Sequence, residues 1–194
     1  SPWASRHWSP ISSGADVTPS SWLSWLVFFP LLCGVLIAVV PGLSGRTLRW
    51  LATLAALLEM AFSLPLWWRY QPGQPGWQFV EQIPWIPSLG ATYHMGADGV
   101  GVLLALLTTV LTPIVIVGAW SAVESREREF YALLLALEAG MLGTFFALDL
   151  LLFYVFWEAM LIPMYLLIGV WGGPRRVYAA VKFFLYTMAG SVLM

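Results

Sequence analysis

Six apolar stretches, each long enough to cross a bilayer, leave this chain very few folds. A membrane helix needs about 20 mostly apolar residues to span about 30 Å of hydrocarbon. Trp22 to Val40 and Val100 to Trp120 meet that requirement with no charge at all. Leu48 to Trp68 carries Arg49 near its start and Glu59 inside, Phe130 to Leu148 carries Glu138, Leu150 to Trp171 carries Glu158, and Val177 to Met194 carries Lys182. The runs are continuous rather than alternating, which argues against a strand barrel. The fold class expected is therefore an all-α membrane protein, a transmembrane bundle of about six helices.

Composition agrees. Of the 194 residues 60% are hydrophobic and only 10% are charged, where a soluble domain carries about 25%. Nine Lys and Arg balance ten Asp and Glu, so the chain offers no basic surface for nucleic acid. Twelve Trp and seven Tyr suit the membrane–water interface. The single cysteine, Cys33, excludes an internal disulfide and any cysteine cluster, and the lone histidines His7 and His94 point to no metal site. No GxGxxG, Walker loop, CxxC, CxxCH or paired membrane histidines occur. Such a chain can carry charge, but not electrons by itself.

Residues 1–21 form a polar, Ser/Pro-rich tail unlike a signal peptide. The chain starts at Ser1, and the last apolar run reaches Met194 without a polar flank. A piece of a longer protein with an incomplete last helix is expected. Arginines set the orientation. The 1–2, 3–4 and 5–6 connections hold Arg46, Arg49, Arg126, Arg128, Arg175 and Arg176, against only Arg6 and Arg69 on the other side. The N-terminus is expected outside and those three connections on the cytoplasmic side. Residues 69–99 make a long outer loop whose prolines and glycines forbid a long helix. Short strands near Trp77–Val80 and Ala91–Tyr93 and a small surface hairpin are expected there.

Ionisable groups inside spans are expensive, at about 2.5–3.5 kcal/mol each on insertion scales, and they commonly serve ion or proton movement. Their spread over helices 2, 4, 5 and 6 points to a relay rather than one pocket. Glu158 is the foremost candidate. It lies midway along its span, with Tyr154 one turn earlier and Tyr165 two turns later. Pro163 cannot donate to the carbonyl of Ala159, which leaves an acceptor beside the carboxyl. Lys182 lies between Tyr178 and Tyr186 on one stripe, and snorkelling to the cytoplasmic interface competes with a proton role. Glu158 and Lys182 can pair if both face inward. Glu138, followed by Gly140 and Gly143, suits close helix contact. Glu59 fits inter-subunit pairing as well as proton transfer, Asp149 fits a helix cap, and Pro30 and Pro113 fit mid-span kinks.

The stretch ALDLLLFYVFWEAMLIPMYLLIGVWGGPRRVYAAVKFFLYTMAGSVLM, from Ala147 to Met194, resembles the proton-pumping membrane subunit 4 family (M chain) of respiratory complex I, NADH:quinone oxidoreductase. The paired segments FWEAMLIPMYLLIG and GG-x-x-R-x-x-AA-x-KFFLYT carry most of the likeness. Segments from Trp85 to Ile114 and Phe130 to Met141 extend it, and residues 1–21 have no counterpart.

The resemblance implies the N-terminal part of an antiporter-like bundle with two inverted repeats. The family's fifth-helix glutamate falls on Glu158 and its sixth-helix lysine on Lys182, while Glu59 matches no motif position. It also implies proton translocation through Glu158 and Lys182, to which the place of Glu138 inside its span adds a third candidate, with other membrane-arm subunits and the lipid bilayer as partners. NADH, FMN, iron–sulfur clusters and quinone would sit on other subunits, with no cofactor here. A bacterial inner membrane is the expected location. The alternative is a subunit of a multisubunit cation/proton antiporter or of a membrane-bound hydrogenase arm. A purely structural scaffold is disfavoured by the cost of the buried charges.

Overall fold

Within hydrocarbon every backbone N–H and C=O must be satisfied by the segment itself, so each apolar run folds as a helix. The computed structural model describes residues 21–193, so the polar tail and Met194 lie outside the described residues. The helices are α1 (Trp22–Val39), α2 (Gly45–Arg69), α3 (Gly99–Gly118), α4 (Glu127–Phe146), α5 (Leu150–Trp171) and α6 (Arg176–Val192). The first five are long and apolar enough to cross a membrane, and α6 has 17 described residues. Ser44 and Asp98 set two starts. The Ser44 hydroxyl accepts from the Thr47 N–H at 3.2 Å, and the Asp98 carboxylate from the Gly101 N–H at 2.6 Å.

The outer loop is more regular than its prolines and glycines predict. Strands β1 (Gln78–Ile86) and β2 (Ala91–Ala97) pair antiparallel, with Glu81 opposite Met95 and Ile83 opposite Tyr93. Pro84 fits inside β1 because the register shifts between Pro84 and Ile86. A second shift lies between Gln78 and Glu81, where Phe79 takes a left-handed φ of 56°.

This hairpin fastens the helix ends beneath it. The Glu81 carboxylate accepts the Leu23 N–H at 2.7 Å and the Ser24 hydroxyl, at the start of α1. Asp149 accepts the Leu151 and Leu152 N–H groups of α5 at 2.9 and 3.2 Å, and with its other oxygen the Thr92 N–H of β2 at 3.1 Å. The Leu148 N–H donates to the His94 carbonyl at 2.9 Å. Thus α1, α3 and α5 all begin at the hairpin end, and each has a carboxylate on its free N–H groups, where the helix dipole favours negative charge.

At the opposite end Arg49 meets Glu127 through two bonds, Nε–Oε2 at 2.8 Å and Nη2–Oε1 at 2.9 Å, and the Trp171 indole donates to the Ser125 carbonyl at 3.0 Å. The arginine-rich 1–2, 3–4 and 5–6 connections therefore share one end. With Cys33 replaced by serine, thiol labels at Gln74→Cys and Arg126→Cys should react from opposite sides of the membrane. Labelling from the same side would refute the arrangement.

Helices α1–α4 form the core. α1 packs most closely on α4, α2 on α3, α5 on the flank of α4, and α6 on α5. Glycine permits two of these approaches. A Cβ on Gly34 would lie 2.9 Å from the Ala132 carbonyl oxygen, and one on Gly143 would strike the Phe156 ring.

Hydrogen bonds, led by that from the Thr92 N–H, hold the Asp149 carboxyl below its usual range. Its contribution is therefore present at neutral pH and lost as pH falls through the lowered value. Burial pushes Glu81 up against the bonds from Ser24 and Leu23, so its contribution has the opposite sign and is lost as pH rises through the raised value. Asp149→Ala should lower stability by about 1–2 kcal/mol in a detergent melt, since it removes a helix cap and a hairpin tie together. A loss confined to a few tenths of a kcal/mol would mean that the ties are redundant.

Candidate functional site

Glu158 lies eight residues into α5, about 12 Å along the axis from its hairpin end. Its half-buried side chain points to α6, where the Ser191 hydroxyl donates to Oε1. The same hydroxyl also lies 3.0 Å from the Met188 carbonyl. A hydroxyl has one hydrogen and two acceptor positions. Ser191 can donate to an ionised Glu158, or accept from a protonated one while donating to Met188. Ser191 also lines a cleft of about 640 Å³ with Ala91, Asp149, Tyr154 and Val192, at the hairpin end.

Lys182 is exposed on α6 between two aromatic faces, with Nζ 5.9 Å from the Tyr178 ring and 5.7 Å from that of Tyr186. It lines a groove of about 900 Å³ together with Arg175, Arg176 and Tyr178, at the arginine-rich end. Among the described residues no ion pair joins it to Glu158. Helix geometry gives the reason. Ser191 follows Lys182 by nine residues, about two and a half turns, so the two side chains leave α6 on opposite sides and about 13 Å apart in depth. The side that meets Glu158 therefore carries the serine.

Glu138 and Glu59 belong to a different place. Both are 0% exposed, and none of their carboxyl oxygens has a hydrogen-bond partner among the described residues. They stand on the buried faces of α2 and α4, two helices that pack against each other. Inter-subunit pairing, one sequence expectation for Glu59, is closed to a side chain fully enclosed by its own bundle. The four intramembrane ionisable groups thus divide into an acid pair inside α1–α4 and two separate positions on α5 and α6, rather than an even series.

Sequence reasoning passed over Ser191. Its only signal was a small alcohol late in an apolar run, the kind of residue that usually bonds to its own helix. Asp149 acts as the helix cap expected of it. Among the described residues no group of His, Cys, Asp and Glu could hold a metal ion.

Residues 147–194 match the family described as NADH:quinone oxidoreductase/Mrp antiporter, TM. Subunit M of the NADH-quinone oxidoreductase of Rhodobacter capsulatus is 49% identical over 176 residues, covering 89% of this chain and 34% of that one. An NAD(P)H-quinone oxidoreductase chain 4 of Thermosynechococcus vestitus is 43% identical over 174 residues, covering 89% and 32%. Among solved structures, a chain of respiratory complex I from Thermus thermophilus with bound NADH superposes with a TM-score of 0.72 at 32% identity, over 87% of this chain and 33% of that one. A chain of the Mrp complex from Dietzia sp. DQ12-45-1b shares the fold with a TM-score of 0.72 at 20% identity, over 88% and 18%. This chain spans about a third of the length of the curated relatives it matches. It is a multi-pass membrane protein with an antiporter-like helix bundle, and a homologue of subunit M, or chain 4, of NADH-quinone oxidoreductase.

Proposed function

We propose that this chain works as part of a proton-translocating membrane-arm subunit of an NADH:quinone oxidoreductase, with Glu158 as its principal proton-bearing group. The observation that carries the reading is the Glu158 carboxyl, held midway along a membrane helix against Ser191, whose hydroxyl suits either protonation state. The cleft beside Ser191 opens at the hairpin end and the groove beside Lys182 at the other, so the α5–α6 pair has an opening toward each end. Lys182 serves the approach from the arginine-rich end, and Glu138 bears a proton deeper in the bundle. NADH oxidation, with its FMN and iron–sulfur clusters, and quinone reduction belong to other subunits, and the partners are the remaining membrane-arm chains.

The antiporter alternative shares the fold, but its likeness stands at 20% identity against 49% for subunit M. The test is the coupled activity of an assembled complex carrying Glu158→Gln.

A further inference from the structure

The buried face of α2 runs through Ala52, Ala56, Glu59, Ser63 and Leu66, and that of α4 through Tyr131, Leu135, Glu138, Leu142 and Phe146. Each series advances by three or four residues, so both glutamates stand in the helix-contact stripe, where an apolar residue is the ordinary occupant. Two charged groups at such positions, with nothing to balance them, would make this core costly to form.

Among the described residues the surroundings offer no counter-charge. α1 contributes Cys33. α2 adds Ser63, whose hydroxyl lies 2.7 Å from that of Thr109 on α3. Thr109 and Thr112 of α3 donate to the carbonyls of their own helix at Leu106 and Thr108, and the Thr112 hydroxyl is the polar neighbour of the Glu138 carboxyl. Against α4 at this depth, α5 places Phe156 and Met160. The three arginines of α2, Arg46, Arg49 and Arg69, lie ten or more residues from Glu59, at least about 15 Å along the axis. Arg49 is held by Glu127, and Arg69 sits over the Trp22 ring at 4.5 Å.

We propose that Glu59 and Glu138 form a two-carboxyl site that holds protons in the core of α1–α4, apart from Glu158. Two like charges buried between packed helices in a low dielectric disfavour ionising both carboxyls, so at neutral pH the pair retains at least one proton, which either carboxyl can bear. Glu59 is the member beside an apolar pocket. It lines a pocket of about 260 Å³ with Trp22, Trp25, Leu26, Phe29 and Phe62, beneath the hairpin end of α1 and α2. Glu138 is the inner member. The site rests on the packing of this chain and does not depend on the role given to Glu158.

Infrared difference spectra of the assembled complex at neutral pH, wild type against variant, test the proposal. Glu59→Gln and Glu138→Gln should each change the carbonyl stretch of a protonated carboxylic acid. The double variant should lose that band, and the two single changes should not add up to the double. Absence of the band from wild type, its survival in the double variant, or strictly additive single changes would each overturn the shared site. Glu158→Gln should leave the band in place, and its loss there would assign the signal to Glu158 instead. The double variant Glu59→Leu/Glu138→Leu guards against misassembly. It removes two unpartnered polar groups, so it should assemble and melt no lower than wild type. A lower melting temperature would show carboxyls that hold the core through bonds, and would count against the proposal.

Discussion

An assembled complex carrying Glu158→Gln is expected to lose proton pumping and quinone reductase turnover by about tenfold or more, general acid–base groups contributing roughly 10²–10⁴-fold to the steps they serve. Glutamine keeps the shape of the side chain, and its carbonyl oxygen can still accept from Ser191. What it lacks is a proton to take up and release. Glu158→Asp should be milder, because a titratable group remains, withdrawn by one methylene from the serine. Ser191→Ala should fall between them, since the carboxyl stays but loses its hydroxyl partner. Native gels must first show assembly, so that missing subunits are not scored as missing proton transfer. Normal pumping by an assembled Glu158→Gln complex would remove Glu158 from the mechanism.

Phe146→Ala should give the largest loss of stability, about 3–5 kcal/mol, the range for deleting a buried aromatic ring. Phe146 is 0% exposed and closes a cluster that includes Leu23 of α1, Met95 and Ala97 of the hairpin, Val102 of α3 and Leu152 of α5. Helices in lipid gain little from apolar burial against one another, so packing contacts of this kind hold them together. Five elements meet at this ring, and the space it leaves cannot be filled by a shift of any one of them. Denaturant unfolding in detergent micelles would measure the loss. A cost below about 1 kcal/mol would mean that the cluster collapses inward and that the hairpin is held by its hydrogen bonds alone.

The helices were legible because a bilayer imposes a length and a composition that no other environment demands. Their ends shifted by up to three residues, since hydrogen bonds rather than hydropathy set them: Ser44 starts α2 at Gly45, ahead of the apolar run at Leu48. The hairpin was legible as an interruption but not in extent. Gln78 to Ile86 lacks clean alternation, and its pairing with β2 tolerates two register shifts. Glu158 stood out because a charge in an apolar run is conspicuous, whereas Ser191 looks like any other helical serine. The separation of Lys182 from Glu158 follows from the nine-residue offset to Ser191, but only once the face of α6 that meets α5 is known. The meeting of Glu59 with Glu138 depends on α2 lying against α4, a contact across some eighty residues that no local pattern encodes.

Cover is unevenly shared among these helices. The helices α1–α4 and the hairpin supply one another's contacts, and the two buried glutamates are sealed among them. α5 is the least buried of the five long spans, and α6 shows Tyr178, Lys182 and Tyr186 on an open face. A nascent chain can therefore settle its first four helices in lipid while α5 and α6 wait beside the insertion machinery. The carboxyl pair needs only the first four helices and the surroundings of Glu158 need α5 and α6, so a chain halted after Phe146 should hold the first group without the second.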